Sequence, residues 1–414
     1  MKLYESEKNM KQQINIAANI YKLRKKKGLT QSELAEKLYV CNKTVSKWER
    51  GAGYPEITQL TSLAKILDTT VDNLLLGEKY GIAIAGNAHT DNFKVINNYP
   101  KSGMLSTIDN ISRTIGGCVP RTSIALATID RELPISAIGK IGNDDSGRYV
   151  LSELQKYNID TSKLVISSNE STGFSDVMSD SNSGECTFFH YGGTNNTFSP
   201  EDIPVKLLDC RMLHIGYIIL LKEFDKNDSE CGTVMAKFLK SVQEVGIKTS
   251  IDITSNSTER ITEKVIPSLK YTDNAILNEE ELSQLSKIPL RDIFGKLILQ
   301  NVKTAMETIL SFGVAERVIV HTNEADFLLN YNGEHFSLPS LKTSVSQDPF
   351  LLGEAEAFTA GCLYGIYKGY DDMKILEFAS GASVCITNYN NRSSNSKTKE
   401  AIFEFLKTAE RNNL

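Results

Sequence analysis

At Ile82 the apolar residues change period, and this makes the chain two folds in tandem. Up to Leu76 they recur at helical intervals. From Ile82 onward they gather in short runs of buried-strand type, at Ile82 to Ala85, Ile135 to Ile138, Met212 to Ile215, Thr249 to Ile253, Asn274 to Leu277 and Arg317 to Val320, with helical stretches between them. The first pattern predicts a small all-α domain over residues 1–77. The second predicts an α/β domain with a mostly parallel sheet over 81–414, with Glu78 to Tyr80 as a brief polar joint.

The first segment divides into five helices. Residues 13–27 space Ile14, Ala17, Ile20, Tyr21 and Leu23 on one face and stop at Gly28. Thr30 then stands as an N-cap with Glu33 completing a capping box, and Leu34, Ala35 and Leu38 form an apolar face. After a turn at Tyr39 to Cys41, Asn42 to Arg50 form a third helix with Val45 and Trp48 inward and Asn42, Lys43, Thr44, Ser46 and Lys47 outward. Pro55 opens a fourth helix through Leu67, and Thr70 caps a fifth, Val71 to Leu76. Charge separates the two segments as well. Residues 1–80 carry 14 Lys+Arg against 9 Asp+Glu, whereas the whole chain carries a net charge of -5. A basic front on an acidic body suits an anionic polymer as partner.

Two helices joined by a tight turn can set the second in the DNA major groove. This stretch resembles the Cro/repressor (XRE-like) helix-turn-helix family through Leu29-Thr30-Gln31, Leu34-Ala35, Val45-Ser46-Lys47-Trp48-Glu49-Arg50-Gly51 and Tyr54-Pro55-Glu56. The resemblance implies that Asn42, Lys43, Thr44 and Lys47 read bases or phosphates, and that Gln31 docks a phosphate at a helix N-terminus. The plain alternative is a solvated face of a protein-interaction module. Cys41 departs from the capping Ser usual in the family and weakens that cap.

In layered α/β folds ligands sit beyond the carboxyl ends of the strands. Four segments there resemble the ribokinase-like (PfkB) carbohydrate kinase family: Gly86 to Asp91, Gly116-Gly117 with Ile138 to Gly147, Asn278-Glu279-Glu280-Glu281, and Gly353 to Phe358 followed by Thr359-Ala360-Gly361. The resemblance implies an α/β/α body with a small lid, part of it around Thr172 to Asn196. It also implies sugar contacts from Asp91, Gly116 and Gly117, and indirect magnesium organisation by Asn278 and Glu281. In the family a Gly-Ala-Gly-Asp loop holds the transferring phosphoryl and its Asp is the base. Here Gly353, Glu354, Ala355 and Glu356 stand in that order. Glu356 is a candidate base one methylene too long, which can misplace the carboxylate by about 1 Å. Glu354 sets a negative charge beside the anion hole, Ala355 restricts the backbone, and Asn323 to Asp326 replace a glycine-rich nucleotide loop.

Arg121 stands where the family has an Asn contacting the sugar. An Arg fork there suits a phosphosugar, although a side chain swung out to solvent is the plainer expectation. The resulting reading is a transcriptional regulator with a sugar-sensing domain degenerate in phosphotransfer. The alternative is an active kinase using Mg-ATP. The expected partners are an operator DNA, a small carbohydrate or phosphosugar, and a second copy of the chain, because helix-turn-helix proteins read paired half-sites. No apolar run reaches the ~20 residues of a membrane span, the charged N-terminus lacks a secretory signal, and the cytoplasm is the expected location. Seven scattered cysteines with no C-x-x-C pair read as buried free thiols, and five dispersed histidines show no metal-ligand spacing.

Overall fold

The computed structural model describes residues 16–77, 79–254, 261–342, 353–387 and 397–413. They form two compact units, one comprising the residues up to Tyr80 with Leu207–Asp209, the other Gly81–Lys206 with Cys210–Leu414.

The first unit is helical: α1 (Ile16–Lys26), α2 (Gln31–Lys37), α3 (Asn42–Glu49), α4 (Ile57–Leu67) and α5 (Val71–Leu76). Its core is Ile16, Ile20, Leu23, Leu34, Ala35, Val45, Trp48, Leu63, Ala64, Leu67 and Leu74; of the residues expected inward, Tyr21 turns outward, Ala17 and Leu38 are half-buried, and Ile16 joins the core unforeseen. Ile14 lies outside the described residues. The Thr30 cap is complete: Glu33 N–H donates to Thr30 Oγ1 at 3.1 Å, and Thr30 N–H donates to Glu33 Oε2 at 2.7 Å. At α5 the Thr70 hydroxyl accepts from Asn73 N–H at 3.1 Å. Helix α4 starts two residues beyond Pro55, at Ile57, because Glu56 stays extended as the N-cap.

The second unit is built on a nine-stranded sheet. In chain order its elements are β1 (Ile82–Gly86), β2 (His89–Ile96), β3 (Ile108–Gly116), α6 (Cys118–Ile129), β4 (Ile135–Gly142), α7 (Asp145–Lys156), β5 (Asp160–Ser167), β6 (Gly173–Asp180), β7 (Cys186–Tyr191) and β8 (Met212–Ile218). There follow a two-residue pair, β9 (Asn227–Asp228) and β10 (Gly232–Thr233), then α8 (Val234–Glu244), β11 (Lys248–Ile253), α9 (Ile261–Leu269), β12 (Asn274–Asn278) and α10 (Glu279–Ser286). The unit ends with α11 (Leu299–Ser311), β13 (Arg317–His321), β14 (Ala325–Asn330), β15 (His335–Pro339), α12 (Glu354–Lys368), α13 (Asp372–Thr387) and α14 (Lys399–Leu406).

The order β15-β14-β13-β12-β11-β8-β1-β4-β5 is parallel from β13 to β5, and only the hairpin through β14 and β15 runs antiparallel. All six sequence-predicted strands fall in its parallel part. Alternate strand residues Ile82, Ile84, Ile135, Ala137, Ile276 and Ile319 join a core with α6, α12 and α13. Their neighbours Ala83, Ala85, Ile138, Leu213, Ile215 and Val318 are buried too, as expected of a sheet covered on both faces.

A second sheet, ordered β3-β2-β6-β7, forms the lid. The segment around Thr172 to Asn196 supplies β6 and β7, while β2, mostly buried but polar in His89 to Asn92, and β3, largely exposed, carry no apolar pattern that marks them. Asp91 therefore lies inside lid strand β2, not at the mouth of a main-sheet strand.

Candidate functional site

In the helical unit, Arg24 and Glu49 hold α3 in place. Arg24 donates from Nε to Glu49 Oε1 at 2.5 Å and from Nη2 to Oε2 at 2.9 Å, and its Nη1 reaches the Leu29 carbonyl at 2.7 Å. Both side chains are buried. Gln31 donates to Glu49 Oε2 at 2.7 Å, so the amide expected to dock a phosphate is engaged in orienting α3. Asn42 donates to Ser32 Oγ at 2.9 Å and stays exposed. Lys43 and Lys47 are exposed, whereas Thr44 is half-buried, with its hydroxyl 3.1 Å from Cys41 Sγ. The Cys41 side chain makes no cap hydrogen bond to the backbone. The outward face of α3 thus presents two ammonium groups and a carboxamide on a rigid base.

In the α/β unit the candidate residues meet around Arg121, which is turned inward and not to solvent. One turn into α6, it donates from Nη2 to Asp91 Oδ2 at 2.5 Å and from Nε to the Ile115 carbonyl at 3.1 Å, and Nη1 lies 3.5 Å from Glu356 Oε1. Tyr217 donates to the same Glu356 oxygen at 2.6 Å. His89 Nε2 is 3.3 Å from Asp91 Oδ1. Burial works to raise the Asp91 pKa, but His89 and Arg121 outweigh it and hold the carboxyl below its ordinary range. Tyr217 is pushed well up, first by burial and then by the neighbouring Glu356 charge, and remains a donor.

The glycines make this convergence fit. A Cβ on Gly116 would lie 2.5 Å from Asp91 Oδ1. One on Gly117, at φ +88°, would meet the Asn87 carbonyl at 2.6 Å, and one on Gly353 would strike Glu356 Oε2 at 2.0 Å. The Glu356 carboxylate therefore folds back over Gly353 at the start of α12, where the family resemblance expects an anion hole.

A cavity of about 40 Å³ lies beside it, lined by Tyr217, Asp252, Asn278, Glu281, His321, Ala355 and Glu356. Asn278 and Glu281 form a capping box, each side chain accepting from the other's backbone N–H at 2.9 Å. Glu281 is buried, so this is not a solvated helix start, and burial pushes its pKa well up. Burial likewise raises that of Asp252.

The surroundings fit a nucleotide poorly. Arg291, a cation at this end of the sheet, makes paired hydrogen bonds to Glu279 (2.5 and 2.6 Å) and Glu324 (2.7 and 2.8 Å). Glu354 is mostly exposed and lies 3.7 Å from His321, which also pairs with Asp326 at 2.6 Å and stacks on Phe358. Phe350 to Leu352, the approach to this loop, lie outside the described residues.

His321 gives a pH signature. Burial opposes its charge, but Asp326 and Glu354 prevail and push its pKa up to about 10. A folded pKa above the ordinary 6.5 adds stability that is fully present below about pH 6.5 and lost as pH rises through about 10. His321→Gln will therefore fall short of the wild type in denaturant midpoint at pH 6, and the gap will close toward pH 10.

Sequence reasoning overlooked Tyr217, His89, Asp252 and His321. Tyr217 and Asp252 lie at the ends of predicted strands, where a ligand rule points. Nothing local marks His89.

A parallel sheet flanked by helices, with a four-stranded lid carrying an acid over the strand ends, defines the ribokinase-like class. The chain belongs to the pfkB family of carbohydrate kinases, whose model matches residues 80–399, and a helix-turn-helix model matches residues 20–74. The helical segment is 44% identical over 80 residues to the HTH-type transcriptional activator BcrR of Enterococcus faecalis, which is 19% of this chain and 39% of that protein. The body is 27% identical over 122 residues to a Staphylococcus aureus ribokinase, 30% of this chain and 40% of that one. It is 23% identical over 310 residues to a 5-dehydro-2-deoxygluconokinase of Clostridium beijerinckii, 73% of this chain and 87% of that one. The chain thus spans well under half of the first two relatives. Among solved structures, Arabidopsis thaliana ribokinase complexed with ribose and ATP superposes with a TM-score of 0.64 at 19% identity, over 79% of this chain and 99% of that one.

Proposed function

We propose that this protein is a DNA-binding regulator whose kinase-derived body binds an anionic carbohydrate and no longer transfers phosphate. The observation that carries the reading is Arg121: its fork joins the sugar-side acid Asp91 to Glu356 at the base position, so the group that should free a hydroxyl proton faces a fixed cation. An incoming carboxylate or phosphate can take the loosely held Nη1 from Glu356, while ligand hydroxyls meet Asp91. Relatives named for a gluconate, a sugar bearing a carboxylate, agree with that chemistry. Glu354, together with the Glu279–Arg291–Glu324 cluster that keeps one net negative charge, disfavours nucleotide phosphates. Lys43, Lys47 and Asn42 supply the DNA contacts, a dimer presents two such helices to paired half-sites, and ligand binding shifts DNA affinity by favouring one arrangement.

The test is titration calorimetry of the full chain with neutral sugars, sugar acids and sugar phosphates, beside an ADP-release assay. Binding of an acid or phosphate at least about tenfold tighter than its neutral parent, without ADP release, is the expected result. Equal affinities sink the anionic-ligand reading.

A second reading is supported by the Tyr217 bond to Glu356, which aims that carboxylate into the cavity as a base should be aimed. ADP release that disappears in Glu356→Gln establishes that enzyme instead.

A further inference from the structure

Three side chains from distant parts of the sequence meet under the floor of the cavity. Cys118 opens α6, His214 lies within β8 and Asp252 within β11. All are buried, and Cys Sγ, an imidazole nitrogen and a carboxylate oxygen lie within 4.8 Å of one another. Among the described residues this is the group of histidine, cysteine and acid so arranged.

Two of its atoms lack the partners that buried polar groups require. His214 Nε2 and Asp252 Oδ1 are buried without a hydrogen bond. His214 Nδ1 sits 3.1 Å from Ser250 Oγ, which orients the ring and leaves Nε2 facing Asp252 Oδ2 at 3.4 Å. Outer contacts of this kind fix ligating imidazoles in metal sites. Gly216 makes the room: a Cβ there would lie 1.7 Å from Asp252 Oδ1 and 3.1 Å from Cys118 Sγ.

We propose that Cys118, His214 and Asp252 bind a zinc-class divalent cation. Zinc bonds of about 2.0 Å to nitrogen and oxygen and about 2.3 Å to sulfur place tetrahedral ligand atoms roughly 3.3 to 3.6 Å apart, so the His–Asp spacing of 3.4 Å already fits and the thiol, within 4.8 Å of both, closes by at most about 1.3 Å. A thiolate with an imidazole selects zinc over magnesium. Binding exchanges the Cys118 S–H bond for S–Zn and releases that proton to solvent. Thiolate and carboxylate then balance the ion's charge, with His214 neutral. Asp252 also lines the cavity, whose volume of about 40 Å³ exceeds the roughly 10–15 Å³ that one water needs, so a water completes the fourth position. Because Cys118 and Arg121 lie one turn apart on α6, the ion anchors the helix that carries the Arg fork to β8 and β11.

The experiment uses the full, tag-free chain, stripped with chelator and titrated with zinc and cobalt(II) chloride. One ion per chain is expected, and cobalt will give a near-ultraviolet thiolate charge-transfer band. Cys118→Ser will abolish the band and weaken zinc by at least roughly 100-fold, a loss at the top of the range for removing an outer-shell partner. Cys385→Ser, at a buried thiol elsewhere, will leave both intact. X-ray absorption at the zinc edge of the wild type, which needs no variant to fold, will show one sulfur and an imidazole. Absence of sulfur scattering, a cobalt band retained in Cys118→Ser, or no stoichiometric retention overturns the proposal and leaves a buried His–Asp pair.

Discussion

Arg121→Met will cost the α/β unit about 3–5 kcal/mol near neutral pH, because it strips the shared cation from two buried carboxylates. In the wild type Asp91 titrates below its ordinary 3.8, pulled down by His89 and Arg121 against its burial. A depressed folded pKa contributes stability that is present above pH 3.8 and lost as pH falls through the folded value. Without the guanidinium that acid-side loss shrinks, and the variant instead loses stability as pH rises and the buried Asp91 ionises. Urea denaturation at pH 5 and pH 8 reads the effect. The deficit should be smaller at pH 5 than at pH 8, and an equal deficit at both would mean that Arg121 acts by packing alone. The same variant should lose roughly 10- to 100-fold in affinity for an anionic carbohydrate, the value of one charge-assisted hydrogen bond. Arg121→Lys keeps the charge without the planar fork and can serve only one acid at a time, so it should recover part of the stability and little of the affinity.

This arrangement shows where the sequence speaks and where it stops. Most of the main sheet was legible because six of its parallel strands are buried on both faces and read as apolar runs, whereas the edge strand β5, polar and half-exposed, was not. Asp91, Gly116, Gly117, Arg121 and Glu356 were legible as members of one pocket through family motifs, but the direction of Arg121 was not. An isolated Arg prefers water, and only the coincidence of Asp91 from the lid, Ile115 O and Glu356 from α12 turns it inward. The lid strands β3 and β7 carry little period-2 contrast because they are largely exposed, and β2 carries little because its buried positions His89, Thr90 and Asp91 are polar. Cys118, His214 and Asp252 show no spacing in the chain, since the sheet order places β8 beside β11 and α6 above both. The second contact of Gln31 was hidden for a related reason: its type suits a phosphate, and nothing local shows that a buried carboxylate on α3 also takes one of its N–H bonds.

The buried pair behind Gln31 gives the largest expected effect on output. Arg24 and Glu49 are 5% and 3% exposed at the side chain, and Arg24→Met leaves the Glu49 carboxylate buried with only Gln31 as a strong donor. Breaking such a pair costs about 3–5 kcal/mol. A domain of ~60 residues at roughly 0.05–0.15 kcal/mol per residue has only ~3–9 to lose. The helical unit should therefore be largely unfolded, or close to it, at 37 °C, and DNA binding should fall with it even though Arg24 does not face outward with Lys43 and Lys47. Denaturation should show an early transition for the helical unit while the later one, from the α/β unit, stays in place, and carbohydrate binding should be unchanged. Arg24→Met with Glu49→Leu removes both charges and fills the space with apolar groups, an exchange that is often neutral, so the double variant should regain the fold. Whether it regains DNA binding separates two roles of the pair. Recovery means that Arg24 and Glu49 only hold α3 in place, whereas a folded double variant that fails to bind means that Gln31, freed from Glu49, no longer orients α3, the helix with exposed Asn42, Lys43 and Lys47.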